Sequence, residues 1–149
     1  VDLSDAVATS ARNVSRVWPD LTLRDRVEDG VMVRADPVFL DRVLTNLFDN
    51  AARSAKAAAS DVEVTSKQTD GRVTIRVIDH GRGIPAEARE VLFHPFYELD
   101  QRNPRLGAGL GLAIAKGFAV AMDGEIWVEE TPGGGATFAL AVPVSSARP

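Results

Sequence analysis

The sequence predicts an α+β fold: a two-layer α/β sandwich in which a mixed sheet is covered on one face by about three helices. Two observations predict it. Runs of alternating apolar residues are joined mainly by short glycine-bearing turns, as hairpins, and helical periodicities stand between the hairpins. The regular strand–helix alternation of a doubly wound parallel sheet is absent.

The elements follow in order. Over residues 2–18, Leu3, Val7, Ala11, Val14 and Val17 recur at spacings of three and four, the stripe of an amphipathic helix that Pro19 ends. Residues 21–27 alternate and 31–34 are short and β-branched, with Asp29-Gly30 between them, so a first hairpin is expected. Asp36-Pro37 reads as an N-cap followed by proline at the first helical position, opening a helix to about Ala58. Residues 61–66 and 72–79 alternate around Thr69-Asp70-Gly71, a second hairpin, and 87–93 read as a short helix. Residues 94–108 carry two prolines, mixed charge and no periodicity, the composition of a lid or binding loop. Helical spacing resumes over 110–122 and Gly124 breaks it. Two last strands, 125–130 and 136–143, flank Pro132-Gly133-Gly134-Gly135. Residues 1–144 are therefore expected to form a single domain and 145–149 a polar tail.

Composition narrows the function. A chain of 149 residues with 45% apolar content can bury one core without disulfide or metal support. Its net charge of −4 provides no cationic field for nucleic acid or anionic lipid. The absence of cysteine excludes disulfides, thiolate catalysis and cysteine-type zinc sites. The most apolar stretch, 107–122, is interrupted by Lys116 and rich in glycine, so it cannot span a membrane, which needs about 20 apolar residues. Neither nucleic acid nor membrane contact is expected. The first residue is Val and no signal pattern follows, which suggests a piece of a longer protein.

Chemistry concentrates in three places. On the helix from Asp36, residues Leu40, Val43, Leu44, Leu47, Phe48 and Ala51 form one apolar stripe. Asn50 falls about 90° from its centre, with Asn46 and Arg53 further out on the same side. Such a line could hold a hard cation and phosphate oxygens; otherwise it is a solvated helix edge. Asp79 shares a strand face with Val73, Ile75 and Val77, so it points toward the core. A carboxylate there needs a donor, which an adenine amino group or an Asx-type turn would supply. Gly81 and Gly83 permit a tight turn or close ligand approach. Gly107, Gly109, Leu110, Gly111 and Leu112 open a helix whose free N–H groups attract phosphate. Arg102, Arg105 and Lys116 add positive charge, or are surface charge. Phe93 and Phe96 flank Pro95 as a hydrophobic anchor where the loop begins. His80 and His94 are the only histidines, so no histidine-rich metal cluster is available.

Taken in order, these motifs resemble the ATP-binding catalytic domain of sensor histidine kinases, within the ATPase group that includes gyrase, Hsp-class chaperones and mismatch-repair ATPases. The likeness covers residues 36–143. It comprises the asparagine-bearing helix as the N box, 79–83 as the first glycine box and 92–96 as the phenylalanine box. Residues 107–112 resemble the second glycine box and 133–138 the last. The final helix and strand pair are similar to those of potassium-responsive sensor kinases. The resemblance implies ATP and Mg2+ as ligands, with Asn50 on the metal, Asn46 and Arg53 on phosphate, and Asp79 on the adenine amino group. It adds Gly81, Gly83, Ile84 and Thr137 to the nucleotide site and lines the triphosphate with Gly107, Gly109, Leu110, Gly111 and Leu112 beneath a lid. Asn46, Asn50 and Arg53 become the catalytic set.

Two departures matter. Ser54 stands where the family often has an aromatic residue packed on adenine. Asn46 stands where hydrolytic members carry a glutamate that activates water, and an amide has no useful basicity for that proton. The resemblance therefore implies a chain that holds ATP for a nucleophile brought from elsewhere, a histidine on a separate dimerisation hairpin of the same parent protein. A response regulator would act downstream, and the chain alone would be monomeric, unable to phosphorylate itself, and cytoplasmic within a membrane-bound sensor. The alternatives are a degenerate ATP-sensing module or an anti-sigma-type serine kinase of the same fold.

Overall fold

A computed structural model of the chain describes residues 1–81, 83–89, 91–94 and 111–145. Its elements are α1 (Leu3–Val17), β1 (Leu23–Arg26), α2 (Pro37–Ala58), β2 (Val62–Thr69), β3 (Arg72–Asp79), α3 (Ala86–Arg89), α4 (Gly111–Ala121), β4 (Glu125–Glu130) and β5 (Ala136–Pro143). Nearly all of the anticipated lid, with Phe96, Arg102, Arg105, Gly107, Gly109 and Leu110, lies outside the described residues.

Local chemistry sets the boundaries. Asp36 Oδ1 accepts the N–H groups of Val38 (2.8 Å) and Phe39 (3.1 Å), which satisfies two free donors at the start of α2, while Pro37 has no N–H to satisfy. Asp2 caps α1 by accepting from the N–H of Asp5. The β2–β3 hairpin turns through Asp70 (φ 50°) and Gly71 (φ 79°), the paired left-handed conformation whose twist matches its strands.

The sheet order is β1-β2-β3-β5-β4, with β1 parallel to β2 and the other pairs antiparallel. The period of two turns Val62, Val64, Val73, Ile75, Val77, Phe138, Leu140 and Val142 toward the helices, where they are buried. Against them α2 sets Leu40, Leu44, Leu47, Phe48 and Ala51. α2 is the central helix, flanked by α1 and α4, and the stacking of Phe39 on Phe118 (4.7 Å between centroids) joins α2 to α4.

Two expectations are corrected. Residues 21–27 and 31–34 do not form a hairpin. β1 runs parallel to β2 instead, and 31–33 bond to the chain start and to the end of β5: Leu3 N to Val31 O (2.9 Å), Val33 N to Val1 O (2.8 Å), Ser145 N to Met32 O (2.7 Å). Val31 and Val33 are buried, whereas Arg24, Asp25 and Arg26 face solvent, so the two runs belong to different surroundings. Arg24 and Arg26 instead pair with Asp61 and Glu63 at the start of the neighbouring strand. The helix expected over 87–93 is also shorter. α3 ends at Arg89, and a tighter turn (His94 N to Val91 O, 2.9 Å) brings Leu92 into the core and Phe93 edge-on to Phe138.

The sheet face away from the helices carries a polar cluster. Arg76 grips Glu129 through two bonds of 3.1 Å, and Trp127 Nε1 donates to the same carboxylate (2.8 Å). These side chains stand on either side of Ala139 in the register, and Ala139 is fully covered. The Arg76 guanidinium chiefly, helped by Trp127 and opposed by burial, holds the Glu129 carboxyl below the ordinary 4.5. A carboxylate with a depressed folded-state pKa stabilises the fold above its unfolded value, and that contribution disappears as pH falls through the folded value. The stability advantage of the parent chain over Arg76→Met is therefore expected to be constant at neutral pH and to shrink on acidification below 4.5. Urea midpoints measured along a pH series check this; with both groups about a third exposed, the difference should stay modest.

Candidate functional site

The end of β3, the edge of α2 and the start of α4 meet at one place. Strand parity makes Asp79 the last inward-facing residue of β3, and it is only 1% exposed. A buried carboxylate is costly unless donors surround it. Asp79 Oδ1 accepts three: Ser54 Oγ from α2 (3.1 Å), Gly81 N from the following turn (2.9 Å) and Ala136 N from β5 (3.3 Å). Among the described residues no hydrogen bond reaches Oδ2. The Asx-type turn and a carboxylate open to a ligand, alternatives in the sequence, are thus compatible, since one oxygen makes the turn and the other has no donor among the described residues.

The main chain of Asp79 is held as well. Its carbonyl accepts from Thr131 Oγ1 (3.0 Å), whose hydroxyl lies 3.0 Å from that of Thr137. Thr137 is paired with Glu129 and lies opposite Ile78, on the sheet face away from the helices. From there, through Thr131, it buttresses the backbone behind Asp79. Glycine is required where these segments touch. A Cβ on Gly81 would collide with Ser54 Oγ and lie 2.8 Å from the Ser54 carbonyl oxygen. A Cβ on Gly135, at φ 113°, would collide with the Asp79 carbonyl oxygen and lie 2.7 Å from His80 Cα. Gly83 stacks on Gly135 in turn, and Ile84 packs half-buried against the core.

Asn46 and Asn50 are half-buried on the side of α2 toward α4. The N-terminus of α4 stands against Asn46, since a Cβ on Gly111 would lie 3.7 Å from Asn46 Oδ1. Leu112 packs on the core behind it. Neither carboxamide has a hydrogen-bond partner among the described residues, and no group of three or more His, Cys, Asp or Glu side chains is assembled there. This donor set suits a hard cation that keeps waters and takes phosphate oxygens.

The cations behave differently. Arg53 pairs with Asp49 at 2.8 Å, about 60° around the helix from Asn50, at the outer rim of the cleft. Asp49 also accepts Trp18 Nε1 from the end of α1 (2.8 Å), and Lys56 Nζ lies 5.6 Å above the Trp18 ring. Lys116, read from the sequence as either a neutraliser of phosphate or plain surface charge, sits 6.0 Å over the Phe93 ring. Sequence reasoning missed Ser54, Thr131 and Gly135 as supports of Asp79. Ser54 had a signal, being one helical turn past Asn50 on the same side. Gly135 had only its place in the last glycine box, because a run of three glycines does not show which of them meets another segment.

Comparison with known proteins follows the same lines. Residues 35–146 match the family described as histidine kinase-, DNA gyrase B-, and HSP90-like ATPase. The chain is 42% identical over 147 residues to the sensor protein KdpD of Rathayibacter rathayi, covering 99% of this chain and 17% of that protein. It thus spans about a sixth of that relative's length. Among solved structures, the mycobacterial sensor histidine kinase MprB superposes with a TM-score of 0.86 at 27% identity, covering 97% of each chain. Full-length ShkA in complex with AMPPNP superposes with a TM-score of 0.85 at 30% identity, over 100% of this chain and 31% of that one.

The contacts around Gly135 separate it from its neighbour Gly133, which has nothing within 4 Å. Gly135→Ala should lower stability by more than about 2 kcal/mol, because backbone would have to move. Gly133→Ala should cost only about 1 kcal/mol for its positive φ. Chemical denaturation of the two variants measures the difference.

Proposed function

Since the chain belongs to the histidine kinase-, DNA gyrase B-, and HSP90-like ATPase family, we propose that it binds Mg-ATP between α2, the end of β3 and α4. It then presents the γ-phosphoryl group to a histidine on a separate helical hairpin of the same parent protein. The observation that carries this reading is the Asp79 carboxylate, with Oδ1 saturated by protein donors and Oδ2 left without one among the described residues.

Asp79 Oδ2 accepts the adenine amino group. A purine without that donor would leave a buried carboxylate oxygen unpaired, and sites of this kind discriminate strongly. Asn50 supplies a carboxamide oxygen to magnesium, and Asn46, beside the start of α4, meets phosphate. Gly111 and Leu112, with Gly107, Gly109 and Leu110 before them, line the triphosphate, where free N–H groups at a helix start favour negative charge. Magnesium, when bound, neutralises phosphate charge and so assists phosphoryl transfer. Arg53 reaches the phosphates from the rim, and Ile84 lies against the base. Asn46 cannot take a proton from water, so attack by water is slow and ATP persists for an oriented nucleophile. Neither His80 nor His94 lies in a phosphoacceptor motif. The parent is a cytoplasmic-facing sensor kinase whose phosphohistidine serves a response regulator, and this chain by itself is a monomer. No helix among the described residues is long and apolar enough to cross a membrane.

Calorimetric titration with ATP and GTP should find that Asp79→Ala lowers the preference for adenine by at least about tenfold. Asn50→Ala should abolish the gain in affinity that magnesium gives the parent chain; if both variants bind like the parent, the assignments fail. With Mg-ATP and the parent's helical hairpin domain, the chain should generate acid-labile phosphohistidine on the hairpin and none on itself. Acid-stable phosphoserine, or no transfer between folded partners, would overturn the kinase reading.

A further inference from the structure

Among the described residues, Arg53 is the one member of the proposed catalytic set engaged with other protein groups. Its Nη2 forms an ion pair with Asp49 Oδ2 at 2.8 Å, while Asp49 Oδ1 accepts the Trp18 indole N–H at 2.8 Å, so each carboxylate oxygen has its own partner. Trp18 is itself anchored: it caps α1 with its N–H on Val14 O (2.9 Å) and packs half-buried against the core. An Asp–Arg pair one turn apart on a helix is common and contributes little by itself. A buttressing indole from another helix is not needed for that purpose. What the third member adds is a fixed direction for the carboxylate, and through it for the guanidinium fork.

We propose that Asp49 and Trp18 are positioning residues for phosphate recognition, holding the Arg53 guanidinium at the rim of the cleft with Nε and Nη1 free to meet a phosphate oxygen. The inference rests on Arg53 acting on phosphate, as proposed above. An unbuttressed arginine would lose many rotamers on binding, whereas one held by Asp49 has lost them already, and its planar fork keeps donors on the edge that Asp49 does not occupy. The arrangement also makes the end of α1 part of the nucleotide site, although α1 contributes nothing else to it.

Charge allows a clean test. Asp49 is an anion near a polyanion, so Coulomb's law alone predicts tighter ATP binding in Asp49→Asn. Positioning predicts weaker binding. Trp18→Phe keeps an aromatic ring and every charge while removing the indole donor together with part of the ring system. Affinities for ATP and for adenosine are measured by titration calorimetry in the parent chain, Trp18→Phe, Asp49→Asn, Arg53→Ala and each double variant with Arg53→Ala. Both single variants should lower ATP affinity about three- to tenfold, the scale of one net hydrogen bond, with adenosine affinity unchanged. Neither should add to the loss in Arg53→Ala. An unchanged or raised ratio of ATP to adenosine affinity, an equal loss for both ligands, or additivity with Arg53→Ala would overturn the proposal. If Arg53→Ala itself leaves the ratio unchanged, the phosphate role of Arg53 fails first, and the proposal with it.

Discussion

A single buried negative charge organises this molecule. The Asp79 carboxyl group sits at the end of a core strand, and burying it is tolerable only because three donors converge on one oxygen. Those donors come from α2, from the turn after β3 and from β5, so all three must be in register before the charge is satisfied. The dependence runs both ways: the layers position the carboxylate, and an unmet carboxylate would penalise any packing that misplaced them. Close glycine contacts at 81 and 135 let the segments approach to hydrogen-bonding distance. Ser54 contributes one of these donors through its hydroxyl.

α2 shows how one helix divides its labour by direction. Its apolar stripe faces the sheet, and its two edges meet different neighbours. Toward α4 it offers carboxamides that no described protein group satisfies, the state expected of residues reserved for a ligand. Toward α1 its polar groups are matched: Asp49 with Trp18 and Arg53, and Asp41 with Ser10 at 2.8 Å. Polar groups on the two edges are chemically similar, so the contrast lies in whether the neighbouring helix brings donors and acceptors. The α1 edge is bonded to its neighbour and carries Arg53, whereas the α4 edge keeps its carboxamides open to the proposed ligand.

The sheet is equally two-sided. Its inner face is continuous apolar surface under the helices, and its outer face is protected by Arg76, Trp127 and Glu129 spanning the small residues of β5. Thr137 belongs to this outer layer, yet through Thr131 it steadies the carbonyl behind Asp79. Support for the site therefore comes from both faces of the sheet.

The sequence by itself determined whatever depends on neighbours a few residues away. The Asp36 cap, the Asp70-Gly71 reversal, the extents of β3, β4 and β5, the stripe of α2 and the inward direction of Asp79 all follow from periods of 3.6 and two, or from turn chemistry. The order of the motifs also disclosed the family. Tertiary structure alone decided which segments meet. It paired 31–33 with the chain start and the end of β5, laid β1 parallel to β2, turned Thr137 to the outer face, and tied Arg53 to Trp18 through Asp49. The donors to Asp79 illustrate why: Ser54 and Ala136 lie 25 and 57 residues away in the chain. No local periodicity encodes such partners, because they are selected by the combined packing of two layers and by the cost of leaving a buried charge unpaired.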